Sequence, residues 1–517
     1  MTDTQATKYF ILFAFLHLIL WTFIPALVSP HAPLDVIEGY AWGHEFLIGT
    51  HKHPPMQSWL LEIFAIITNR ASFAHFLASQ IAIIISFWAV WDIGKRISTP
   101  ATALAAVLLL EMVVYYNFVS TEFNPNILQI MFWALIAHAF YNAIQSGKII
   151  HWALLGIWAA GGIYSKYYTV FFLLSLAALM LFNIQARKKI LTAGPYIALA
   201  ICTALLAPHI IWLVQHDFLP MTYTQSRIIH DEHGLLHIIL EPIIFTASQI
   251  GLLLPMIIMA TLLCGFKRNK NATNFIQGFD KDFLVFVTFG PLLLTCLLSL
   301  AFGLKLKNMW GASFWNFSSL WLLLVFFGTK TISFRKRFIV PFLMIAFALP
   351  IFFGISTYMQ PYWKKNIKRV HFPGQELAEI VTQEWEKRYQ IPLSYVIGDT
   401  WVAGSISYYA PSRPSLFLEN NPVISHWIDP DHVAHKGGIF VVLPCHRPCH
   451  DDIYQDKARI FADTLRDTYP QAEIQKALHL HAATKSNKPK EIVVFWAIIP
   501  PATAPVVNGA SETESAQ

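Results

Sequence analysis

The chain has 517 residues, 55% hydrophobic and 13% charged, with a mean hydropathy of +0.47 and a net charge of +6. Soluble domains carry nearer a quarter charged residues, so these totals exclude a water-soluble enzyme. The +6 comes mostly from Lys and Arg in short loops and points to membrane topology, with no nucleic-acid partner. The five cysteines form no zinc-finger spacing, and Cys202, Cys264 and Cys296 lie in or beside apolar runs as small fillers.

Apolar runs of about 20 residues, enough to cross a bilayer, set the order of the chain. The first, 9–28, has no small-residue cleavage site and reads as a retained span. A polar island follows, PHAPLDVIEGYAWGHEFLIGTHKHPPMQSWLLE (30–62), with Asp35, Glu38, Tyr40, His44, Glu45, His51, Lys52 and His53 ahead of a Pro-Pro pair. Inside it, 36–48 and 56–67 mix apolar and polar residues below spanning length, which predicts two short helices along the interface. Further spans are predicted at 73–90, 101–116, 127–143, 152–163, a sixth ending at 182, and 195–214. Four more follow at 238–264, 283–302, 312–327 and 338–355, about eleven in all.

Basic clusters close four of the turns, at 95–96, 187–189, 267–270 and 335–337. With the N-terminus in the cytoplasm, the positive-inside rule puts all four on the inner side. The island, STEFNPN (120–126), YSKYY (164–168), the loop 215–237 and the loop 305–310 then fall outside. Basic clusters and other polar residues thus separate to opposite faces, which assigns the chemistry to the outer one.

Residues 1–357 therefore read as a transmembrane domain, with 29–72 as its first outer loop. Beyond 358 the hydrophobic runs shorten to strand length: SYVIG (394–398), SISYYA (405–410), GIFVVLP (438–444) and EIVVFWAII (491–499). Around a helical pattern at 374–388 they predict an α/β domain over 358–499 on the outer face. In PCHRPCH (444–450), Cys445 and Cys449 can form a disulfide, and His446 and His450 leave a zinc site as the alternative. The tail 500–517 is small and polar and reads as disordered.

Several side chains stand out. Lys166, at the end of a short span among tyrosines, is an ionisable group near bilayer depth and a candidate phosphate contact; the ordinary alternative is a snorkelling lysine. Arg227 suits bidentate phosphate recognition, and His216 and His233 share its loop. Lys305, Lys307 and Trp310 sit outside against the positive-inside trend, which calls for an anionic partner. Asp35 and Glu38, at i and i+3, can face one cavity, unless Asp35 is only a helix cap.

These motifs also occur in order. Asp35…Glu38, GTHKHPPMQSWLL (49–61), TEFNPN (121–126), GGIYSKYYTVFFLL (161–174), WLVQHDF (212–218) and KLKNMWG (305–311) resemble bacterial GT-C membrane glycosyltransferases of the protein-mannosyltransferase-like type. This is glycosyltransferase family thirty-nine, related to the lipid A aminoarabinose transferases. The resemblance implies a polytopic GT-C helical domain with a C-terminal periplasmic α/β domain, in the bacterial inner membrane. It implies inverting transfer of a sugar from a polyprenyl-phosphate carrier to lipid A or core lipopolysaccharide, another glycan or a protein, among membrane lipids at the periplasmic face.

By the same resemblance a loop acid is the base. Many relatives have adjacent Asp-Glu where this chain has Asp35-Val36-Ile37-Glu38, so Asp35, at the loop entrance, is favoured and Glu38 is the alternative. Glu122 resembles a second acid near the family's active site. His53, just before the Pro pair, and Lys52 are expected at the leaving phosphate, which needs donors as negative charge builds on it. Tyr40, His44, Trp310 and His216 are expected along the donor or acceptor cavity. No cofactor is expected, because Lys and Arg can hold a monophosphate; a divalent cation at His44, Glu45, His51 and His53 is the alternative. The rival function is a transporter or flippase of lipid-linked sugars, which intramembrane charges also suit.

Overall fold

A chain crossing hydrocarbon must satisfy every backbone group internally, so its apolar runs become helices. The computed structural model describes residues 1–228, 235–265, 276–328, 332–363, 368–444, 451–482 and 491–502. In chain order the helices are α1 (Asp3–Val28), α2 (Leu34–His44), α3 (Met56–Ile67), α4 (Ala74–Ile97), α5 (Pro100–Leu110), α6 (Pro125–Ser146), α7 (Ile149–Ser165), α8 (Thr169–Phe182), α9 (Ile184–Arg187) and α10 (Ala193–Gln215). They continue as α11 (Leu219–Ile228), α12 (Leu235–Cys264), α13 (Phe279–Phe302), α14 (Ser318–Trp321), α15 (Lys336–Trp363), α16 (Gly374–Tyr389), α17 (Val402–Tyr409), α18 (Pro430–Lys436) and α19 (Asp451–Thr468). The strands are β1 (Tyr395–Gly398), β2 (Ser415–Leu418), β3 (Gly438–Val442), β4 (Glu473–Ile474), β5 (Leu478–His481) and β6 (Glu491–Ile499).

The chain divides into two compact units. One comprises Met1–Leu27 and Ile48–Ile355; the other comprises Val28–Leu47 and Ser356–Gln517. The boundary cuts the polar island in two, so the segment with Asp35 and Glu38 clusters with the C-terminal residues and the segment with His53 clusters with the helical ones.

In the helical unit, seven helices among the described residues are long and apolar enough to cross a membrane, or up to nine if two bent pairs each count as one span. This is a multi-pass membrane protein, and among the described residues it has fewer full-length spans than the expected eleven. Two predicted spans are α7 and α8, of 17 and 14 residues, which at about 1.5 Å per residue fall short of the hydrocarbon thickness. Two others bend. The run predicted at 101–116 leaves α5 at Leu110 and turns by 84° into Val114–Thr121. Asn117 causes the break: its Nδ2 donates to the carbonyls of Glu111 at 2.6 Å and Val113 at 3.2 Å, taking acceptors a continuing helix would use. The run near 312–327 is a 3₁₀ turn, Asn308–Trp315, bent by 61° from Ser318–Phe326.

Polar contacts close one end of this unit. Asp92 meets Arg96 and His138, each at 2.9 Å; Tyr141 donates to Asp280 at 3.0 Å; and Asn183 donates to Asp282 at 2.8 Å. The turns carrying His53, Glu122, Lys166 and Trp310 lie at the other ends of these helices.

The second unit is built on a six-stranded sheet of order β2-β1-β3-β6-β4, with β5 also on β6. β1 is parallel to β2 and β3, and β6 runs antiparallel to β3, β4 and β5. The α/β expectation holds, with one correction: 405–410, predicted as a strand, lies in helix α17. Asp399 forces this by capping the helix start, accepting from Trp401 N at 2.7 Å and Val402 N at 2.6 Å. The helix is then the crossover that parallel β1 and β2 require. Ile397, Phe417, Val433, Phe440, Phe461, Leu465 and Phe495 form the core.

Candidate functional site

The polar end of the helical unit is assembled from four turns. α7 stops at Ser165, and Lys166 turns extended (φ −166, ψ 133) while its N–H still caps Gly162 O at 3.0 Å. Its half-buried side chain leaves the helix sideways, and Nζ donates to Asn126 Oδ1 at 2.7 Å. Nζ also lies 5.8 Å from the Tyr168 ring centre and 5.9 Å from that of Trp310. An amide oxygen and two ring faces steady the ammonium.

Asn126 is fixed by its own turn. Asn124 caps α6, its side chain accepting from the backbone of Asn126 and Ile127, with Pro125 at the first helical position. Gln57 of α3 donates to Phe123 O at 3.0 Å. Glu122, in this turn, is half-buried and extended, where the 3₁₀ turn Val119–Thr121 ends.

The turn that carries Trp310 is held by Gln249, a fully buried side chain on α12. Gln249 donates to Asn308 O at 3.1 Å and accepts from Trp315 Nε1 at 3.0 Å; Tyr115 also donates to Asn308 O, at 2.6 Å. Gly311 has no room for a side chain here, since a Cβ would lie 2.2 Å from Gln249 Oε1. In the same loop Lys307 is half-buried and Lys305 is exposed.

The loop before the Pro pair rests on α10. His209 Nδ1 bonds Ile48 O at 2.8 Å and its Nε2 meets Tyr167 OH at 2.9 Å. Gly49 packs on the Trp212 ring, 2.2 Å from where a Cβ would stand. His216 stacks on the same tryptophan at 4.5 Å. Thr50 ties the turn together, donating to His53 O at 2.9 Å and accepting from His53 N at 3.2 Å. Burial pushes the His53 imidazole well below its usual pKa, and the nearby Lys52, Lys166 and His51 charges push it the same way. His53 is therefore neutral near pH 7 and offers a hydrogen bond in place of a charge.

The two acids belong to the other unit. Asp35 is half-buried in the first turn of α2, and Glu38 is 5% exposed. α2 docks on α17: Tyr40, fully buried, stacks on Tyr408 at 4.1 Å and 12°. Arg413 donates to Tyr40 O at 3.4 Å and Ser415 donates to Glu45 at 2.6 Å. His44 ends the helix, half-buried. Upstream, His31 bonds Ala32 O at 2.7 Å and Ser405 Oγ at 3.0 Å, and burial lowers its pKa to about 4.

The structure thus gathers Lys166, Asn126, Tyr168 and Trp310 directly, with His53, Lys52, Glu122 and His216 on turns of the same unit. The Arg227 side chain, His233 and the Cys445–Cys449 pair lie outside the described residues. Among the described residues no group of three or more His, Cys, Asp or Glu is arranged to hold a metal. Sequence reasoning missed Asn126, His209 and Gln249; a lone polar residue inside a long apolar run was the available signal for the last two.

Residues 52–212 match the family described as Dolichyl-phosphate-mannose-protein mannosyltransferase, a stretch that includes Lys52, His53, Glu122 and Lys166 and stops short of Asp35. No curated protein matches the chain in sequence. The fold is similar to the crystal structure of ArnT from Cupriavidus metallidurans bound to undecaprenyl phosphate, with a TM-score of 0.50 at 11% identity over 95% of this chain and 98% of that one. It is also similar to the arabinofuranosyltransferase AftD from Mycobacteria, with a TM-score of 0.51 at 11% identity over 95% of this chain. This chain spans 40% of AftD. The expected resemblance to GT-C membrane glycosyltransferases holds in sequence over the matched segment and in fold over nearly the whole chain.

Proposed function

We propose that the chain is an inverting glycosyltransferase that moves a sugar from a polyprenyl-phosphate carrier to an envelope acceptor at the periplasmic face of the bacterial inner membrane. The acceptor is lipid A or core lipopolysaccharide, another glycan or a protein, and the N-terminus is cytoplasmic. The observation that carries this reading is Lys166: an ammonium held at one end of a helical bundle by an amide and two rings, inside the segment that matches the mannosyltransferase family. The undecaprenyl phosphate bound to ArnT supports the carrier class.

In this reading the acceptor hydroxyl gives its proton to Asp35. The freed oxygen bonds the anomeric carbon of the sugar. The bond from that carbon to the phosphate oxygen breaks, and the carrier phosphate keeps the electron pair. Lys166 and Lys52 meet the growing charge, and neutral His53 donates a hydrogen bond to it. Glu38 is the second choice of base, and Glu122 orients the acceptor. Monophosphate held by lysines needs no metal.

The test is transfer of labelled sugar from polyprenyl phosphate by the purified protein in lipid nanodiscs. Asp35→Asn and Lys166→Met are each expected to cut product formation by about 10²-fold or more. Full activity in Asp35→Asn would remove Asp35 as base, and lipid translocation without transfer would replace the enzyme with a flippase.

A further inference from the structure

His17 on α1 and Glu111 at the end of α5 meet at 2.7 Å, and both are almost wholly buried, at 3% and 2% exposed. Titratable groups inside a membrane-spanning unit are costly to bury and rarely idle, and the proposed transfer gives these two no role. A cavity of about 610 Å³ between α1, α5 and α15 borders the pair. Close packing therefore does not hold Glu111 on that flank, and its polar contacts must.

Those contacts run in one direction. Trp21 Nε1 donates to Glu111 Oε1 at 3.2 Å. His17 Nε2 bonds Gln80 Oε1 at 3.0 Å, and Gln80 Nε2 donates to Ser120 O at 3.2 Å. Ser79 donates to the same carbonyl at 2.5 Å, and Asn117 Nδ2 donates to Glu111 O at 2.6 Å. The chain fixes its own protons. A carbonyl only accepts, so the Gln80 amide must turn its nitrogen to Ser120 and its oxygen to His17. His17 Nε2 then carries a hydrogen, and its Nδ1 faces the Glu111 carboxyl with one proton between them.

The far end of this chain is the 120–126 turn. The 84° bend after α5 begins at Glu111. Ser120 stands two residues before Glu122, and Asn126 in the same turn holds Lys166. We propose that His17 and Glu111 are positioning residues: a membrane-embedded brace that sets the turn carrying Glu122 and the Asn126 partner of Lys166. The catalytic consequence rests on the glycosyl-transfer reading above; the brace itself does not.

Two measurements separate the two. Hydrogen exchange across 117–126 in nanodiscs reads the brace, and sugar transfer reads its consequence. Glu111→Gln keeps an acceptor for Trp21 and a proton for His17, so exchange stays at the parent rate and kcat stays within about threefold. Glu111→Leu and Gln80→Leu break the chain at different links. Each is expected to speed exchange across 117–126 and to lower kcat about tenfold, as displaced active-site groups do, with KM for the donor little changed. Should Glu111→Leu fail to fold, Gln80→Leu carries the test alone. Parent-rate exchange in the leucine variants overturns the brace. Equal loss in Glu111→Gln and Glu111→Leu also overturns it, because the proton would then not matter. A parent protein that transfers no sugar overturns the glycosyl-transfer reading, and exchange still decides the brace.

Discussion

The cluster around Lys166 and the junction around His31 are both made of buried or half-buried polar side chains, and they treat charge in opposite ways. Lys166 keeps its ammonium, held by an amide oxygen and two ring faces. An ammonium placed this way suits the anion-binding role proposed for it. His31 instead loses its charge: buried between Ala32 O and Ser405, it is held neutral down to about pH 4. It serves as a rivet between the entry to α2 and helix α17. The comparison separates a group proposed for chemistry from a group used for assembly within the same chain.

Predictions sharpen that contrast, beginning with the largest effect. Asp35→Asn should lower kcat by about 10²- to 10⁴-fold, the range for a lost general base, in a transfer assay at saturating donor; a loss confined to Glu38→Gln would move the role there. Lys166→Met should cost about 10²-fold in kcat/KM, and Lys166→Arg should not restore it, because a planar guanidinium does not fit a cradle shaped for one ammonium. Asn126→Ala should cost roughly tenfold, and wild-type kinetics in that variant would show that the rings alone place Lys166. Gly311→Ala should give a similar loss through Trp310, since the added methyl meets Gln249.

The smallest effect concerns stability. The folded pKa of His31 lies below its ordinary 6.5, at about 4, so between these values the unfolded chain binds the proton and the folded unit does not. Its contribution is complete above pH 6.5 and is lost as pH falls toward 4. Thermal melts should show a drop in melting temperature over that window that flattens in His31→Gln. An unchanged slope in His31→Gln would assign the acid sensitivity elsewhere.

Much of this was legible beforehand, for identifiable reasons. Long apolar runs are local signals, so the multi-pass character could be read directly, and the one-sided basic clusters carry the proposed orientation. The short helices α2 and α3 were visible as amphipathic segments, and Lys166 was conspicuous as a lysine among tyrosines. The errors arose where a distant partner overrode local pattern. Residues 405–410 alternate like a strand, yet Asp399 caps them into a helix. The run after Pro100 is apolar enough to continue, yet Asn117 takes the carbonyls that continuation needs. Asn126 was passed over because an asparagine in a loop has no signature until a lysine 40 residues away bonds to it.

The polar island was found by its density of charge, and that density is a property of sequence alone, as are the hydropathy and the order of motifs from 49 to 311. The division of the island was decided only in three dimensions. Tyr40 finds Tyr408, and His31 finds Ser405, across more than 360 residues of chain, while Ile48 and Gly49 find His209 and Trp212. Stacking and hydrogen bonding at that separation depend on which surfaces meet, and no local spacing encodes it. That is why the proposed base and the proposed phosphate holders, neighbours in the sequence, belong to different units of the fold.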